Sequence, residues 1–213
     1  MLLGAIASND HAERILDIGT GTGVIALMLA QRFTDAQIDA VEIDLSAATT
    51  AAKNFKNSAF KERLNIFRES IEEFFNEYPD NTYDLIITNP PFYLNSLESP
   101  KEKKTLAKHT DADFFEGLMK GIAAHLSPEG LCWLVLPAQT AALIKDLAKQ
   151  NRLCQHKIIE VRSFEHSEPH RNIVCFGFDE VVLTETASFT IYEAASVYSD
   201  QYKALLYPFF LNL

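Results

Sequence analysis

The chain has 213 residues, of which 47% are hydrophobic and 23% are charged, and its formal net charge is −10. This composition is typical of a globular domain and excludes a disordered chain. The negative charge excludes a protein that binds nucleic acid over its whole surface. A polyanion could therefore bind only at a local basic patch.

Strand and helix patterns alternate through the first two thirds of the chain. Runs of branched apolar residues predict strands at 14–18, 37–43, 63–67, 83–88 and 130–136. Helical periodicity predicts helices at 24–33, 45–58, 71–76, 111–126 and 139–150. Asp44 or Ser46 is expected to cap the second of these helices. The alternation predicts a three-layer, Rossmann-like α/β domain with a mainly parallel sheet.

The last third of the chain has a different pattern. Strands predicted at 157–164 and 172–178 are separated by a loop alone, which favours an antiparallel hairpin. A short strand at 189–192 and an aromatic-rich helix at 199–210 follow. Because no linker or repeat interrupts the pattern, we expect one domain over residues 1–213.

Two further features bear on localisation and metal content. The apolar stretch from Met1 to Ala7 lacks the basic leader of a signal peptide, and no apolar run approaches the roughly 18 residues of a membrane span. We therefore expect a cytoplasmic protein. Cys132, Cys154 and Cys175 form no C-x-x-C pair, which predicts reduced thiols and no metal site.

The segment "ILDIGTGTG" carries a glycine-rich loop between a predicted strand and a predicted helix. Glycines permit a tight turn and the approach of a ligand to the backbone. The dinucleotide pattern G-x-G-x-x-G does not fit, because the third glycine comes one residue early. Asp17 would repel a pyrophosphate and attract a cationic ligand, which indicates S-adenosylmethionine. The expected cofactor contacts in this loop are Asp17, Gly19, Thr20, Gly21 and Gly23.

The second predicted strand ends in "VEID", which places Glu42 23 residues after Gly19. This is close to the spacing of about 20 residues at which an acidic side chain holds ribose hydroxyls. Glu42 is therefore the predicted ribose ligand, and Ile43 is a predicted cofactor contact beside it.

"NPPFY" at residues 89 to 93 follows the apolar strand 83–88. The side-chain oxygen of Asn89 and the backbone oxygen of Pro90 can accept hydrogen bonds from a planar amine, and Pro91 helps to fix the backbone that aims them. Phe92 can stack on a flat target, with Tyr93 as the alternative. This segment predicts a clamp that makes an exocyclic amine nucleophilic.

These motifs give the chain a strong resemblance to the class I methyltransferases with an N-P-P-[FY] motif. "LDIGTGTGVIALMLAQR", "DAVEID", "DLIITNPPFY", "EPHRNIV" and "YSDQYKALLYPFFLNL" resemble most closely the tRNA adenine-N6 methyltransferases that modify an anticodon-loop adenine of a valine tRNA. The resemblance implies a seven-stranded sheet with one antiparallel strand. It also implies S-adenosylmethionine as cofactor and tRNA as substrate.

The chain departs from that family pattern in two places. Family members usually have a further segment before "LLGA" that helps to cover the cofactor, so we expect this lid to be missing. Ser70 occupies the place of an aspartate that contacts the adenine amine of the cofactor. Ser70 is therefore a predicted cofactor contact, and a weaker acceptor than a carboxylate.

A lysine-rich stretch follows the clamp and is the local exception in an acidic chain. Lys101, Lys103, Lys104 and Lys108 are accompanied by Glu102 and His109. These cations are expected to pair with phosphates that flank the target nucleotide, unless the stretch is simply a solvated loop. Arg162, His166, His170 and Arg171 form a second, sparser basic group, in which Arg171 is the predicted substrate contact.

The sequence leaves other targets open. Guanine-N2 methylation of RNA and glutamine-N5 methylation of protein use the same kind of planar amine, and the lysine-rich stretch favours RNA. An inactive, cofactor-binding remnant is the non-enzymatic alternative, motivated by Ser70 and the expected lack of a lid. We expect a monomer.

Overall fold

The computed structural model describes residues 1–90 and 101–210, and for residues 101–111 it describes the backbone alone. Within these residues eight strands form one sheet. In chain order they are β1 (Arg14–Ile18), β2 (Gln37–Val41), β3 (Leu64–Phe67), β4 (Tyr83–Thr88), β5 (Leu126–Pro137), β6 (Cys154–Arg162), β7 (Arg171–Gly177) and β8 (Glu185–Thr190). A separate two-stranded ribbon joins β9 (Tyr192–Ala194) to β10 (Val197–Tyr198).

Helices and short 3₁₀ turns connect the strands. The α-helices are α1 (Leu2–Ile6), α2 (Val24–Arg32), α3 (Leu45–Lys56), α4 (Ile71–Glu77), α5 (Lys101–His125), α6 (Ala141–Gln150) and α7 (Asp200–Leu206). The 3₁₀ turns span Lys61–Arg63, Ala138–Thr140 and Tyr207–Phe209. Within the described ranges, no helix is long and apolar enough to cross a bilayer.

The order of strands in the sheet is β3-β2-β1-β4-β5-β7-β6-β8. β1 to β5 pair in parallel, β7 is antiparallel to both β5 and β6, and β8 is parallel to β6. The predicted Rossmann-like sheet and its antiparallel hairpin are confirmed. The seven-stranded layout is wrong by one strand, because β8 adds to the edge beside β6.

The two faces of the sheet bury different side chains of the same strands. Ile15 and Leu85 face the layer that contains α1, α2 and α3, whereas Leu16 and Ile86 face the layer of α4, α5 and α6. Because successive side chains of a strand point to opposite faces, a strand covered on both sides must be apolar throughout. This explains the continuous apolar runs that revealed β1 and β4.

Several elements differ from the predictions. α1 is too short for a helical period to show in the sequence, and it ends where the Arg32 side chain donates to the carbonyl oxygens of Gly4 (2.8 Å) and Ala7 (2.6 Å). α5 begins ten residues before the predicted start, in the lysine-rich stretch. β8 runs through a polar sequence, and its core contact depends on alternate residues such as Phe189. The β9 and β10 ribbon was not predicted.

Arg63 supports the end of α2 from a distant part of the chain. Its guanidinium donates to the carbonyl oxygens of Ala30, Phe33 and Ala36 at 2.7 to 2.9 Å. These carbonyls lie at and beyond the carboxyl end of α2, where a helix lacks partners of its own. Arg63 thereby joins the turn before β3 to the turn before β2.

We predict that Arg63→Met lowers the free energy of unfolding by about 2–3 kcal/mol, because three hydrogen bonds from a charged donor to partly buried carbonyl oxygens are lost. Urea denaturation followed by circular dichroism measures this change. Arg68→Met, at an exposed arginine, is the matched control and should stay within about 0.5 kcal/mol of the parent. Equal losses in the two variants would contradict the role of Arg63.

Candidate functional site

The carboxyl ends of the parallel strands bring the predicted motifs to one edge of the sheet. The glycine loop follows β1, Glu42 follows β2, and Asn89 follows β4. β7 runs in the opposite direction, so its first residue, Arg171, lies at the same edge and pairs with Pro137 at the end of β5. Open α/β sheets bind their ligands at this edge.

The glycines of the loop have two different functions. Gly19, Gly21 and Gly23 have positive φ angles of 70°, 60° and 84°, which residues other than glycine rarely adopt. A Cβ atom placed on Gly19 or Gly21 would meet no atom within 4 Å, so space for a ligand lies beside their backbone. A Cβ atom on Gly23 would collide with the ring of Phe55, so this glycine allows α2 to pack against α3.

The Asp17 carboxylate is directed into the protein. The side chain is 1% exposed, its Oδ2 accepts a 2.6 Å hydrogen bond from the Thr20 hydroxyl, and the carboxylate accepts another from the backbone N–H of Ala26. Ala26 lies in the first turn of α2, whose N-cap residue Gly23 has no side chain to offer. The Asp17 carboxylate therefore lies against the first turn of this helix.

Burial raises the pKa of Asp17 to about 6, although the hydrogen bonds from Thr20 and Ala26 oppose the shift. The nearby Glu42 carboxylate adds to the increase. The predicted interaction between Asp17 and a cationic ligand stays a prediction, because both described hydrogen bonds of this carboxylate are internal.

Glu42 supports the glycine loop from the neighbouring strand. Its two carboxylate oxygens accept hydrogen bonds from the backbone N–H groups of Gly21 and Asp44, each at 2.8 Å. An ionised carboxylate has about four acceptor positions, so capacity remains for ligand hydroxyls. Asp44 accepts from the N–H of Ala47 at 2.7 Å, which confirms it as the cap of α3.

A cavity of about 360 Å³ opens beside the glycine loop, within the range of small-molecule sites. Its wall includes Gly19, Glu42, Ile43, Ile71, Asn89 and Phe114. Ile43 is 74% exposed, an unusual position for an apolar side chain at a strand end. Apolar walls suit a flat ring, the carboxylate suits hydroxyl groups, and the open glycine backbone suits a polar chain. This donor set fits S-adenosylmethionine.

Asn89 stands between this cavity and a second one of about 200 Å³. The lining of the second cavity includes Asn89, Val135, His170, Arg171 and Ile191, together with residues from the start of the chain. Asn89 is exposed, and its neighbour Pro90 is buried and borders the first cavity.

Thr88 fixes the start of this segment. The Thr88 hydroxyl donates to the carbonyl oxygen of Ile18 at 3.0 Å in a buried hydrogen bond. Because Ile18 ends β1, this bond ties the strand before Asn89 to the strand before the glycine loop. The Asn89 segment and the glycine loop are therefore held at a fixed distance from each other.

Ser70 caps α4. Its hydroxyl oxygen accepts from the N–H of Glu73 at 3.1 Å, and the Glu73 carboxylate accepts from the N–H of Ser70 at 2.9 Å. The next residue, Ile71, lines the larger cavity. The predicted contact between Ser70 and the cofactor stays a prediction, since the described bonds of its hydroxyl serve the helix.

Several predicted site residues are not covered by the structure. Pro91, Phe92 and Tyr93 lie outside the described residues. Lys101, Lys103, Lys104, Lys108 and His109 belong to α5, but their side chains also lie outside what is described. Among the described residues, no group of three or more His, Cys, Asp or Glu side chains is arranged to hold a metal ion.

Sequence reasoning missed most of the apolar walls. Ile71 and Phe114 reach the larger cavity from α4 and α5, and Val135 and Ile191 reach the smaller one from β5 and the end of β8. These residues have ordinary core patterns, so the sequence carries no signal that marks them as cavity walls.

Comparisons with known proteins support the same kind of ligand as the cavity does. The family model of the methyltransferase small domain matches residues 1–157. A relative from Pedobacter heparinus is 46% identical over 211 residues, 99% of this chain and 88% of the relative. One from Bacteroides thetaiotaomicron is 38% identical over 220 residues, with coverage of 100% and 89%. Both are named "tRNA1(Val) (adenine(37)-N6)-methyltransferase".

Solved structures support the fold. A protein from Agrobacterium tumefaciens, described as a predicted O-methyltransferase, superposes with a TM-score of 0.72 at 19% identity. The match covers 96% of this chain and 93% of that protein.

We predict that Asp17 makes the stability of the protein depend on pH. The folded-state pKa of about 6 lies above the ordinary value of 3.8, so the folded state binds this proton more tightly than the unfolded chain. The resulting stabilisation is complete below pH 4 and is lost as the pH rises through 6. It amounts to about 3 kcal/mol for a shift of roughly two pKa units.

The variant Asp17→Asn isolates this contribution because the titration of all other groups is common to both proteins. The free energy of unfolding of the variant minus that of the parent should increase by up to about 3 kcal/mol between pH 4 and pH 7. Urea denaturation at several pH values measures it. A difference that does not change with pH would contradict the burial of an ionisable Asp17.

Proposed function

Because the chain belongs to the methyltransferase small domain family, we propose that it transfers a methyl group from S-adenosylmethionine to the exocyclic N6 amine of an adenine in tRNA. The observation that carries the proposal is the position of Asn89, which borders both the cofactor-sized cavity and the second cavity beside it. A residue in this position can touch an amine and face a methyl donor at the same time.

The larger cavity offers groups for each part of the cofactor. Glu42 would accept hydrogen bonds from the ribose hydroxyls, and Ile43 and Ile71 would lie against the adenine ring. Gly19 and Gly21 leave space beside their backbone for the amino acid part. When bound, S-adenosylmethionine supplies an electrophilic methyl group on a positively charged sulfur.

The protein activates the amine with acceptors in place of a base. The side-chain oxygen of Asn89 and the backbone oxygen of Pro90 can each accept one N–H of the amine. These bonds reduce the delocalisation of the nitrogen lone pair into the ring, so the lone pair becomes available for the methyl carbon. Neither oxygen is a base at neutral pH. The new N–C bond would form as the bond between the methyl carbon and sulfur breaks, which would leave S-adenosylhomocysteine, and the amine would then release its proton to solvent.

The target is proposed from the relatives. Both relatives are named for adenine 37 of a valine tRNA, and this chain aligns with each over 99% of its length or more. We therefore place the same adenine ahead of a guanine N2 amine or a glutamine side-chain amide, either of which the pair of oxygens can also bind.

The remaining parts of the proposal concern the RNA and the state of the protein. The lysines at the start of α5, with Arg171 at the start of β7, are proposed to pair with tRNA phosphates near the target. Phe92 or Tyr93 would stack on the base. A tRNA substrate is consistent with a cytoplasmic enzyme, and we propose that it acts as a monomer.

We predict that Asn89→Ala lowers kcat for tRNA methylation by a factor of about 10² to 10³, because one of two acceptors aimed at the reacting amine is removed. Unmodified valine tRNA is incubated with S-adenosylmethionine and the protein, and its nucleosides are quantified by mass spectrometry. Calorimetry with S-adenosylhomocysteine separates loss of chemistry from loss of cofactor binding.

Asn76→Ala, at an exposed position of α4, is the matched control and should retain the parent rate. N6-methyladenosine is the product that the proposal requires. N2-methylguanosine in its place would transfer the proposal to guanine. A protein that binds S-adenosylhomocysteine but methylates neither base would support the inactive remnant.

A further inference from the structure

Five aromatic side chains near the second cavity form a continuous row of rings, which we call the aromatic ladder. Its members, from the outer end to the inner end, are His166, Phe164, Tyr192, Tyr198 and Tyr202. The ring centroids are 5.7, 5.8, 5.2 and 4.4 Å apart in that order. Three of the four contacts are stacked, with interplanar angles of 13°, 17° and 9°.

The ladder is held at the edge of the sheet that carries Asn89. Phe164 follows the end of β6 and Tyr192 follows the end of β8, and the N–H of Tyr192 donates to the carbonyl oxygen of Ser163 at 2.8 Å. Ile191, the residue before Tyr192, lines the same cavity as Asn89. Tyr192, the middle member of the ladder, is therefore one residue from the cavity wall.

The two ends of the ladder have different surroundings. Tyr202 contacts Phe189, which is buried in the core, with ring centroids 6.5 Å apart. His166 is exposed, and among the described residues its one ring contact is with Phe164. One face of the His166 ring is thus supported by a row anchored in the protein, and the other is available for a further flat ring.

The charged side chains around the ladder indicate which chemical group of a ligand could bind there. Glu165 and Glu168 are exposed in the same loop as His166, and Arg162 is paired with Glu160 at 3.1 Å. Glu165 and Glu168 disfavour a phosphate directly beside His166, whereas Arg171, at the start of β7, is the phosphate contact proposed above. An exposed aromatic face is suited to an unpaired nucleobase, which stacks without a requirement for positive charge.

We infer that His166, supported by the aromatic ladder, stacks on an unpaired base next to the target nucleotide of the RNA substrate. The inference rests on the proposed function for the identity of the RNA, and it adds a contact to the predicted lysine and arginine contacts. A base stacked on His166 would hold the strand while the target base enters beside Asn89. His166 is a positioning residue in this account.

The test compares His166→Ala with His166→Phe. The probe is a fluorescently labelled RNA hairpin with the anticodon loop of a valine tRNA, titrated by anisotropy, and the methylation rate is measured on the same RNA. His166→Ala should raise both Kd and KM about tenfold, with little change in kcat. His166→Phe should stay within about twofold of the parent, because it keeps a flat ring.

Tyr207→Ala is the matched control, an exposed aromatic residue beyond α7 that should leave both constants unchanged. A salt titration separates stacking from charge. The slope of log Kd against log salt should be the same for His166→Ala and the parent, because no phosphate contact is removed. A reduced slope, or a His166→Phe variant as weak as His166→Ala, would overturn the inference.

Failure of the inference is distinguishable from failure of the proposed function. Parent-like RNA affinity in His166→Ala, with normal methylation, would overturn the stacking role and leave the proposed function intact. An RNA that binds through His166 but is not methylated at adenine would contradict the proposed function and would still support the stacking role of His166. An RNA hairpin that the parent does not bind would overturn the inference directly.

Discussion

The hydrogen bonds that one glycine loop donates to two carboxylates are the interaction on which the site depends. Asp17 holds the loop from inside through Thr20 and the first turn of α2, and Glu42 holds Gly21 from the neighbouring strand. A loop of glycines costs more conformational entropy to order than any other sequence, so it requires such partners. The result is a backbone that a ligand can approach closely, because no atom lies near the position that a Cβ of Gly19 or Gly21 would occupy.

The parallel sheet also positions the residues that would take part in the reaction. Because β1, β2 and β4 end at one edge, the residues that would hold a methyl donor and the residue that would hold its acceptor arise from short, adjacent turns. The buried hydrogen bond between Thr88 and Ile18 sets the distance between these turns. β6, β7 and β8 bring Arg171, Ile191 and the aromatic ladder to the same edge, where Arg171 and Ile191 line the second cavity and Tyr192 follows directly after Ile191.

Much of this arrangement could be predicted from the sequence, because the informative features are local. The bounds of β1 and β4 and the Asp44 cap follow from apolar runs and from one capping side chain. Features that depend on distant parts of the chain could not be predicted. The inward direction of Asp17 requires the first turn of α2, and the wall of the second cavity combines residues from β5, β7 and β8 that look like ordinary core residues.

The central claim is that Asn89 lies between a bound methyl donor and the position of its acceptor. A crystal structure of the protein with S-adenosylhomocysteine and adenosine tests it most directly. The account predicts a cofactor product that lies across Gly19 and Glu42 with its sulfur facing Asn89, and an adenosine amine within hydrogen-bond distance of the Asn89 side-chain oxygen. A cofactor product seated away from the glycine loop, or an adenosine amine turned away from Asn89, would contradict the account.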